Sequence, residues 1–468
     1  MPALLIVLAY FLQTHLLLSG DVGYLLYVTN QFLEGGTYTK DFFETNPPMI
    51  LYLYTPACLL AKFTGISIIT AVRIYISVLI LLSFYLCMTL LKRIIQPQDK
   101  FLFTLLRYMV LFILLFLPAY HFGQREHLLM ILILPYLLSC VLLKEKKNLP
   151  AHTAFLIGFL AGCGFALKPF FLVTLGLVEL YVSNWIRIES LVIACVLILY
   201  LGSIFIFQPN YIYILLPLIS DLYFIGPAQP WLVLLTTPTV CLCFFAIFVY
   251  LFCYQQDRYR PLSMIFLLAL LGMIVAFLLP QTAWYYHVLP ALSLSCLLMT
   301  LCFGQALMTR RLFLVSASLF ILFIPFNIVY EMYADSMAYK IQGPTPKLIS
   351  YINSLPTPHS VFCFSYHTTE DCFPLVYATH STYSGRYPFF WWLRGLIKQK
   401  DSATIQKEKA YLMTVLEEDL TKNKHNIIII GPGFDFIRYF SQDEKFREAW
   451  QHYSYLTTID SFQVYAYD

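Results

Sequence analysis

Three carboxylates, Asp21, Asp41 and Glu44, stand in the stretch DVGYLLYVTNQFLEGGTYTKDFFETNPP, residues 21–48. Apolar sequence lies on both sides of it, so these acids belong at a membrane boundary. A carboxylate held there, partly screened from water, is suited to act as a base toward a hydroxyl. The plainer reading makes Asp21 and Asp41 helix caps, and for either residue alone that is the default. Further polar groups recur between apolar runs: His121, Gln124, Arg125, Glu126 and His127 in HFGQREH, then Lys168 beside Pro169, Asp221, and Trp284, Tyr285, Tyr286 and His287. Ionisable side chains at membrane depth are costly and by default mark a functional site. An arginine, a lysine and histidines beside carboxylates suit a phosphate-bearing, partly lipidic ligand. Taken singly, Arg125 could pair with Glu126 or a lipid headgroup, Lys168 could snorkel, and the aromatic residues could anchor an interface. Their gathering on one side favours a site.

The elements that must hold these residues follow from composition. Of the 468 residues, 59% are hydrophobic and 12% charged, against about 25% charged in a soluble chain. No soluble fold hides that much apolar surface. The formal net charge of +4 is confined to short clusters, which reads as membrane topology and argues against nucleic-acid binding.

Apolar runs occupy residues 2–19, 66–91, 101–119, 128–143, 153–166, 170–183, 191–207, 231–254, 262–279, 287–303 and 312–330, about eleven spans. The first lacks a basic leader and a cleavage context and reads as an uncleaved span. Residues 49–61 are too short to span and are expected to be interfacial or re-entrant. With the first residue in the cytoplasm, Lys92, Arg93, Lys100, Lys144, Lys146, Lys147, Arg187, Arg258, Arg260, Arg310 and Arg311 fall in inner loops. Outside remain Lys40, Lys62, Arg125 and Lys168, with Arg73 near a span end. The positive-inside rule selects that orientation and leaves the C-terminal region outside.

The expected fold is therefore an all-α polytopic membrane domain over residues 1–330, with a first outer loop at 20–65, followed by a soluble extracytoplasmic α/β domain over 331–468. In that tail, 360–365 and 426–430 read as strands and 404–422 as an amphipathic helix. Ten of the twelve cysteines lie in apolar runs as small packing residues. Cys363 and Cys372 lie in the tail, where a disulfide and two free thiols are both open.

The residues around Asp21 also carry a resemblance. Asp21, then Gly36, Tyr38, Asp41, Glu44, Pro47 and Pro48 resemble the G-x-Y-x-x-D-x-x-E-x-x-P-P pattern of the GT-C membrane glycosyltransferases. The similar branch is the family 39 group, which includes protein O-mannosyltransferases and the aminoarabinose transferases that modify lipid A. The segment Thr70-Ala-Val-Arg73 and the run GCGFALKP, residues 162–169, are similar to segments of that family, and the likeness covers most of the chain. One departure is Val22, where the family often has a second acid; its role is absent here or moved to Glu44.

The resemblance implies transfer of a sugar from a polyprenyl-phosphate donor to a lipid, glycan or protein acceptor outside the membrane, with inversion. Asp21 would be the base, with Asp41 and Glu44 forming or supporting the site. Arg125, Lys168 and His287 are candidates for the departing lipid phosphate. His121, Tyr285, Tyr286, Asp221 and Arg386, the last within residues 384–393, are candidates for substrate contact. No cofactor is required, since cations can stabilise a monophosphate leaving group, although Asp21 with Glu44 could hold a divalent metal. The expected location is a bacterial inner membrane, N-terminus cytoplasmic and C-terminal domain periplasmic. The rival readings are a transporter or flippase, which would show inverted repeats and broken helices at the midplane, and a non-catalytic envelope-assembly partner.

Overall fold

The computed structural model describes residues 2–337, 343–356, 359–366, 368–399, 402–422 and 427–468. Every apolar run is helical. Among the described residues, six helices are long and apolar enough to cross a membrane: Ile68–Ile94, Arg125–Lys144, Ile188–Phe207, Arg260–Leu278, Tyr285–Met308 and Leu312–Met337. The other five runs form shorter helices, Pro2–Thr14, Lys100–Leu115, Ala151–Phe165, Leu172–Val182 and Pro238–Cys253. The run 231–254 is split because a turn at Thr236 and Thr237 ends the helix Trp231–Leu235, and Pro238, lacking an N–H, fits only the first turn of the next. The last apolar helix continues to Met337, past the expected boundary at 330.

Burial orders these helices. An all-round apolar helix must be wrapped by protein or by lipid. The apolar window of Arg125–Lys144 is 94% buried and that of Ile188–Phe207 only 17%. The first is the centre of the bundle. The second exposes Ile198, Leu199, Leu201 and Phe205 on a surface that only lipid can cover, as in a multi-pass membrane protein. Ala151–Phe165 packs on it through Gly158 and Gly162. A Cβ at Gly162 would stand 2.8 Å from that of Val196, so the small residues permit the close approach of the two backbones.

Between the first two spans, the amphipathic stretch is the helix Gly20–Leu33, stopped where Gly35 turns to φ 92°. Residues 49–61 belong to the helix Met49–Thr64, which packs along Gly20–Leu33 and Ile68–Ile94.

The C-terminal region is an α/β unit with a five-stranded sheet. Its strands are β1 (Ser360–Phe364), β2 (Thr382–Tyr383), β3 (Ile427–Ile430), β4 (Tyr453–Ile459) and β5 (Phe462–Tyr467), in the order β2-β1-β3-β5-β4. β1 pairs in parallel with β2 and β3, while β5 runs antiparallel to β3 and β4. The expected strands 360–365 and 426–430 correspond to β1 and β3, with position 426 outside the described residues, and the expected helix is Ala403–Lys422. Cys363 and Cys372 form a disulfide between β1 and the start of the helix Phe373–Ala378.

This unit is seated on the helix Gly20–Leu33. Tyr377 donates its hydroxyl to the Gly23 carbonyl at 3.0 Å, the Tyr24 and Phe373 rings meet edge-on at 5.0 Å, and the Phe43 N–H donates to the Arg386 carbonyl at 2.9 Å. The soluble unit thereby covers the boundary at which Asp21 stands.

Candidate active site

Asp21 lies in the first turn of Gly20–Leu33, where the helix dipole favours a negative charge. It does not cap the helix: Ser19 is the N-cap residue. The Asp21 side chain turns outward, 24% exposed, into a cavity of about 500 Å³ between the membrane helices and the C-terminal unit. Both of its oxygens are held. Oδ1 accepts from the Thr369 hydroxyl at 2.7 Å; Oδ2 accepts from Gln124 Nε2 at 3.1 Å and faces an Arg125 guanidinium nitrogen at 3.4 Å.

Arg125 opens the helix Arg125–Lys144, so the turn before that helix aims Gln124 and Arg125 together at Asp21. Its other terminal nitrogen lies 3.9 Å from Glu44, leaving the guanidinium between two carboxylates. Glu44 is buried and accepts from the Asn46 backbone N–H at 2.7 Å and from the Asn46 side chain. Burial raises the Glu44 carboxyl above the usual carboxylate range, with Arg125 and then Asn46 pulling the other way. His121, Tyr285 and Tyr286 also line the cavity, the His121 ring 5.8 Å and 5.4 Å from the two tyrosine rings. Burial pushes the His121 imidazole down to about 4, so it is neutral at physiological pH. Among the described residues, four buried polar atoms of this lining have no hydrogen-bond partner: Nδ1 of His121, Oε1 of Gln124, Nε of Arg125 and the Tyr285 hydroxyl. Buried groups of this kind are ordinarily satisfied, and a polar ligand could satisfy them.

Five other sequence candidates are placed elsewhere. Lys168 does not line the cavity. Its ammonium is bound to Glu126 at 2.5 Å and to His287 Nε2 at 3.1 Å, and the other His287 nitrogen meets the Thr282 hydroxyl at 2.8 Å. Because Glu126 follows Arg125 on the same helix, it points away from the cavity and takes Lys168 and His287 with it. Burial holds the Lys168 ammonium below the ordinary lysine range, with Glu126 opposing that shift. Asp41 accepts from the Thr37 N–H at 2.8 Å and stabilises its own loop. Asp221 stands apart, beside Glu408, whose carboxyl burial and Asp221 together push up to about 7. Arg386 is turned into the C-terminal unit, bound to Asp419 at 2.7 Å and Glu418 at 3.1 Å. Charge and expected side selected these residues; the direction of each side chain was set by its nearest partner, an acid for Lys168 and Arg386 and a backbone N–H for Asp41.

The structure also adds residues. Tyr120 lines the cavity, as do Asp335, Arg394, Thr369 and Glu370. Glu370 accepts from the Gly20 N–H at 2.8 Å, from the Ser19 hydroxyl at 3.2 Å and from Tyr120. Burial raises its carboxyl to about 8. Thr369 and Glu370 sit in a short polar turn that reads as solvated surface until the two units are docked. Among the described residues, no group of three or more His, Cys, Asp or Glu side chains is arranged to hold a metal ion. Asp21 and Glu44, the pair that could share one, stand on either side of the Arg125 guanidinium.

No protein-family model matches the chain. No curated protein matches it. The solved structures similar to it include ArnT from Cupriavidus metallidurans bound to undecaprenyl phosphate, with a TM-score of 0.58, and the same protein in the apo state, with 0.55. Each is 12% identical over 99% of this chain, covering 96% and 97% of the other chain respectively. At that identity the likeness shows the fold alone: a helical membrane domain followed by a C-terminal domain. The resemblance read from the residues around Asp21 therefore holds for the architecture of the whole chain.

Proposed function

We propose that this chain transfers a sugar from a polyprenyl-phosphate donor to a hydroxyl of a lipid, glycan or protein acceptor, with inversion, in the cavity at Asp21. The observation that carries the reading is a partly exposed carboxylate, fixed by three donors of which one is a buried arginine, opening on a cavity between membrane helices and a soluble unit. The fold is shared with a protein whose structure holds undecaprenyl phosphate.

In this reading the acceptor oxygen attacks the anomeric carbon while its proton passes to Asp21. The bond from that carbon to the phosphate oxygen breaks, and the electron pair leaves on the lipid phosphate. Arg125 faces the developing charge from a desolvated position, where a fixed cation is worth most. Glu44 holds Arg125 and Asp41 supports the loop that carries Glu44. His121, Tyr285 and Tyr286 form the substrate wall. Lys168 and His287 stand behind it and fix the starts of two helices. The cation at the site supplies charge neutralisation, so the scheme calls for no metal. The disulfide Cys363–Cys372 supports an oxidising, extracytoplasmic side for the C-terminal domain, and with the positive-inside pattern a bacterial inner membrane with a cytoplasmic N-terminus.

The test uses the full chain in proteoliposomes with a panel of undecaprenyl-phosphate sugars and extracted envelope lipids. Wild type releases undecaprenyl phosphate with one of the panel. Asp21→Asn lowers that turnover by roughly 10²- to 10⁴-fold while binding undecaprenyl phosphate as before. Equal turnover in the two proteins, or none with any donor in the wild type, would remove the reading; passage of a donor across the membrane without transfer would favour a flippase.

A further inference from the structure

The base of the proposed reaction is on the membrane domain, yet one of its three fixing donors is not. The turn Thr369–Asp371 of the C-terminal unit lies directly on the first residues of Gly20–Leu33. A Cβ at Gly20 would stand 2.5 Å from the Thr369 carbonyl carbon and 2.7 Å from the Glu370 nitrogen, so backbone rests on backbone and only glycine fits there. From that turn, Glu370 reaches back to the Gly20 N–H and Ser19 hydroxyl, satisfying groups at the start of the helix, and is joined by Tyr120. Ser19 accepts in turn from Gln124 at 3.3 Å. Thr369 is buried and gives its hydroxyl to Asp21 Oδ1, the oxygen that neither Gln124 nor Arg125 engages.

We infer that Thr369 is a positioning residue for the reaction, setting the rotation of the Asp21 carboxylate, and that Glu370 is the clamp that seats the C-terminal domain to do so. This rests on the proposed role of Asp21 as base. With Gln124 and Arg125 converging on Oδ2 alone, the carboxylate can pivot about that oxygen. The Thr369 hydroxyl removes the pivot and leaves one orientation toward the cavity. The soluble domain is then part of the catalytic centre and not only a cover over it, and its undocking would turn the base without displacing Asp21.

The experiment compares Thr369→Val with Thr369→Ser in the full chain, reading kcat, KM for the donor, binding of undecaprenyl phosphate and the thermal midpoint. Valine keeps the shape and removes the donor; serine restores the donor. A positioning role predicts that valine lowers kcat by roughly 10- to 100-fold with KM and lipid binding little changed, and that serine recovers kcat to within about threefold of wild type. A kcat in Thr369→Val within about twofold of wild type, or a loss in both variants that tracks the thermal midpoint, would overturn it. Because the comparison is made on a wild type that turns over, failure of the enzyme reading is seen first and separately, as no transfer by wild type.

Discussion

Two buried ionic clusters lie side by side at the start of the helix Arg125–Lys144, and they differ in what they leave unsatisfied. In the first, Arg125 stands between Asp21 and Glu44, its contacts are long at 3.4 and 3.9 Å, and Asp21 opens on the cavity. In the second, Glu126 Oε1 takes Lys168 at 2.5 Å and lies 3.6 Å from His287, away from the cavity. Among the described residues, the second leaves Oε2 of Glu126 without a partner, whereas the first leaves donors and acceptors on several residues around one cavity. Consecutive residues, Arg125 and Glu126, feed opposite clusters because successive positions on a helix point about 100° apart. Ionic residues at membrane depth therefore divide into those that hold helices together and those that face a ligand. Position in the sequence does not separate the two kinds; geometry does.

Three substitutions sharpen that division. The largest effect is expected from Arg125→Ala, which removes the cation facing both carboxylates. Turnover per unit donor should fall by roughly 10²- to 10³-fold, as for loss of a single preorganised charge, with Arg125→Lys recovering part of it. A loss under tenfold would place Arg125 with the structural cluster. Next is Lys168→Met, which leaves Glu126 buried without its cation. Detergent-solubilised protein should lose about 3 kcal/mol of stability, read as a lower thermal midpoint, while kcat/KM changes by less than about tenfold. The reverse pattern, normal midpoint and lost turnover, would return Lys168 to the donor phosphate.

The smallest effect concerns the clamp at Glu370, and its sign follows from linkage. Burial raises the folded-state carboxyl to about 8 from its ordinary value near 4.5. The folded state then holds a proton that the unfolded state releases, so this contribution to stability is present below about 4.5 and is lost as pH rises toward 8. Glu370→Gln does not titrate. The difference in thermal midpoint between wild type and Glu370→Gln should therefore shrink or reverse between pH 5 and pH 8.5 by a few degrees. A difference that stays constant across that interval would mean the carboxyl titrates at its ordinary value and the clamp is solvated.

The division also shows how much of the molecule was legible from its residues. Among the described residues, the apolar runs announced all six helices long enough to cross a membrane, because a span length of hydrocarbon leaves few alternatives. Asp21, Glu44, Arg125, His121, Tyr285 and Tyr286 were legible as candidates because each sits at a helix end or in a loop on the same expected side, and the structure gathers them in one cavity. Lys168, His287 and Asp41 stand outside that cavity, because a side chain's direction depends on its nearest partner, and Glu126 and Thr37 claimed them. Thr369 and Glu370 gave no signal, since their meaning arises only from contact with residues about 350 positions earlier. The β4–β5 hairpin was missed for a local reason. Its turn places Asp460 at φ 45° and Ser461 at φ 77°, where Asn-Gly or Asp-Gly is the usual mark, so the familiar turn sequence is absent.

The most direct test of the central claim is mass spectrometry of envelope glycolipids and glycans from three otherwise identical strains, carrying the wild-type chain, Asp21→Asn or no copy. The account predicts a species heavier by one sugar in the wild type alone, with the Asp21→Asn strain matching the strain that lacks the chain. The same species at the same abundance in the Asp21→Asn strain and the wild type would contradict it.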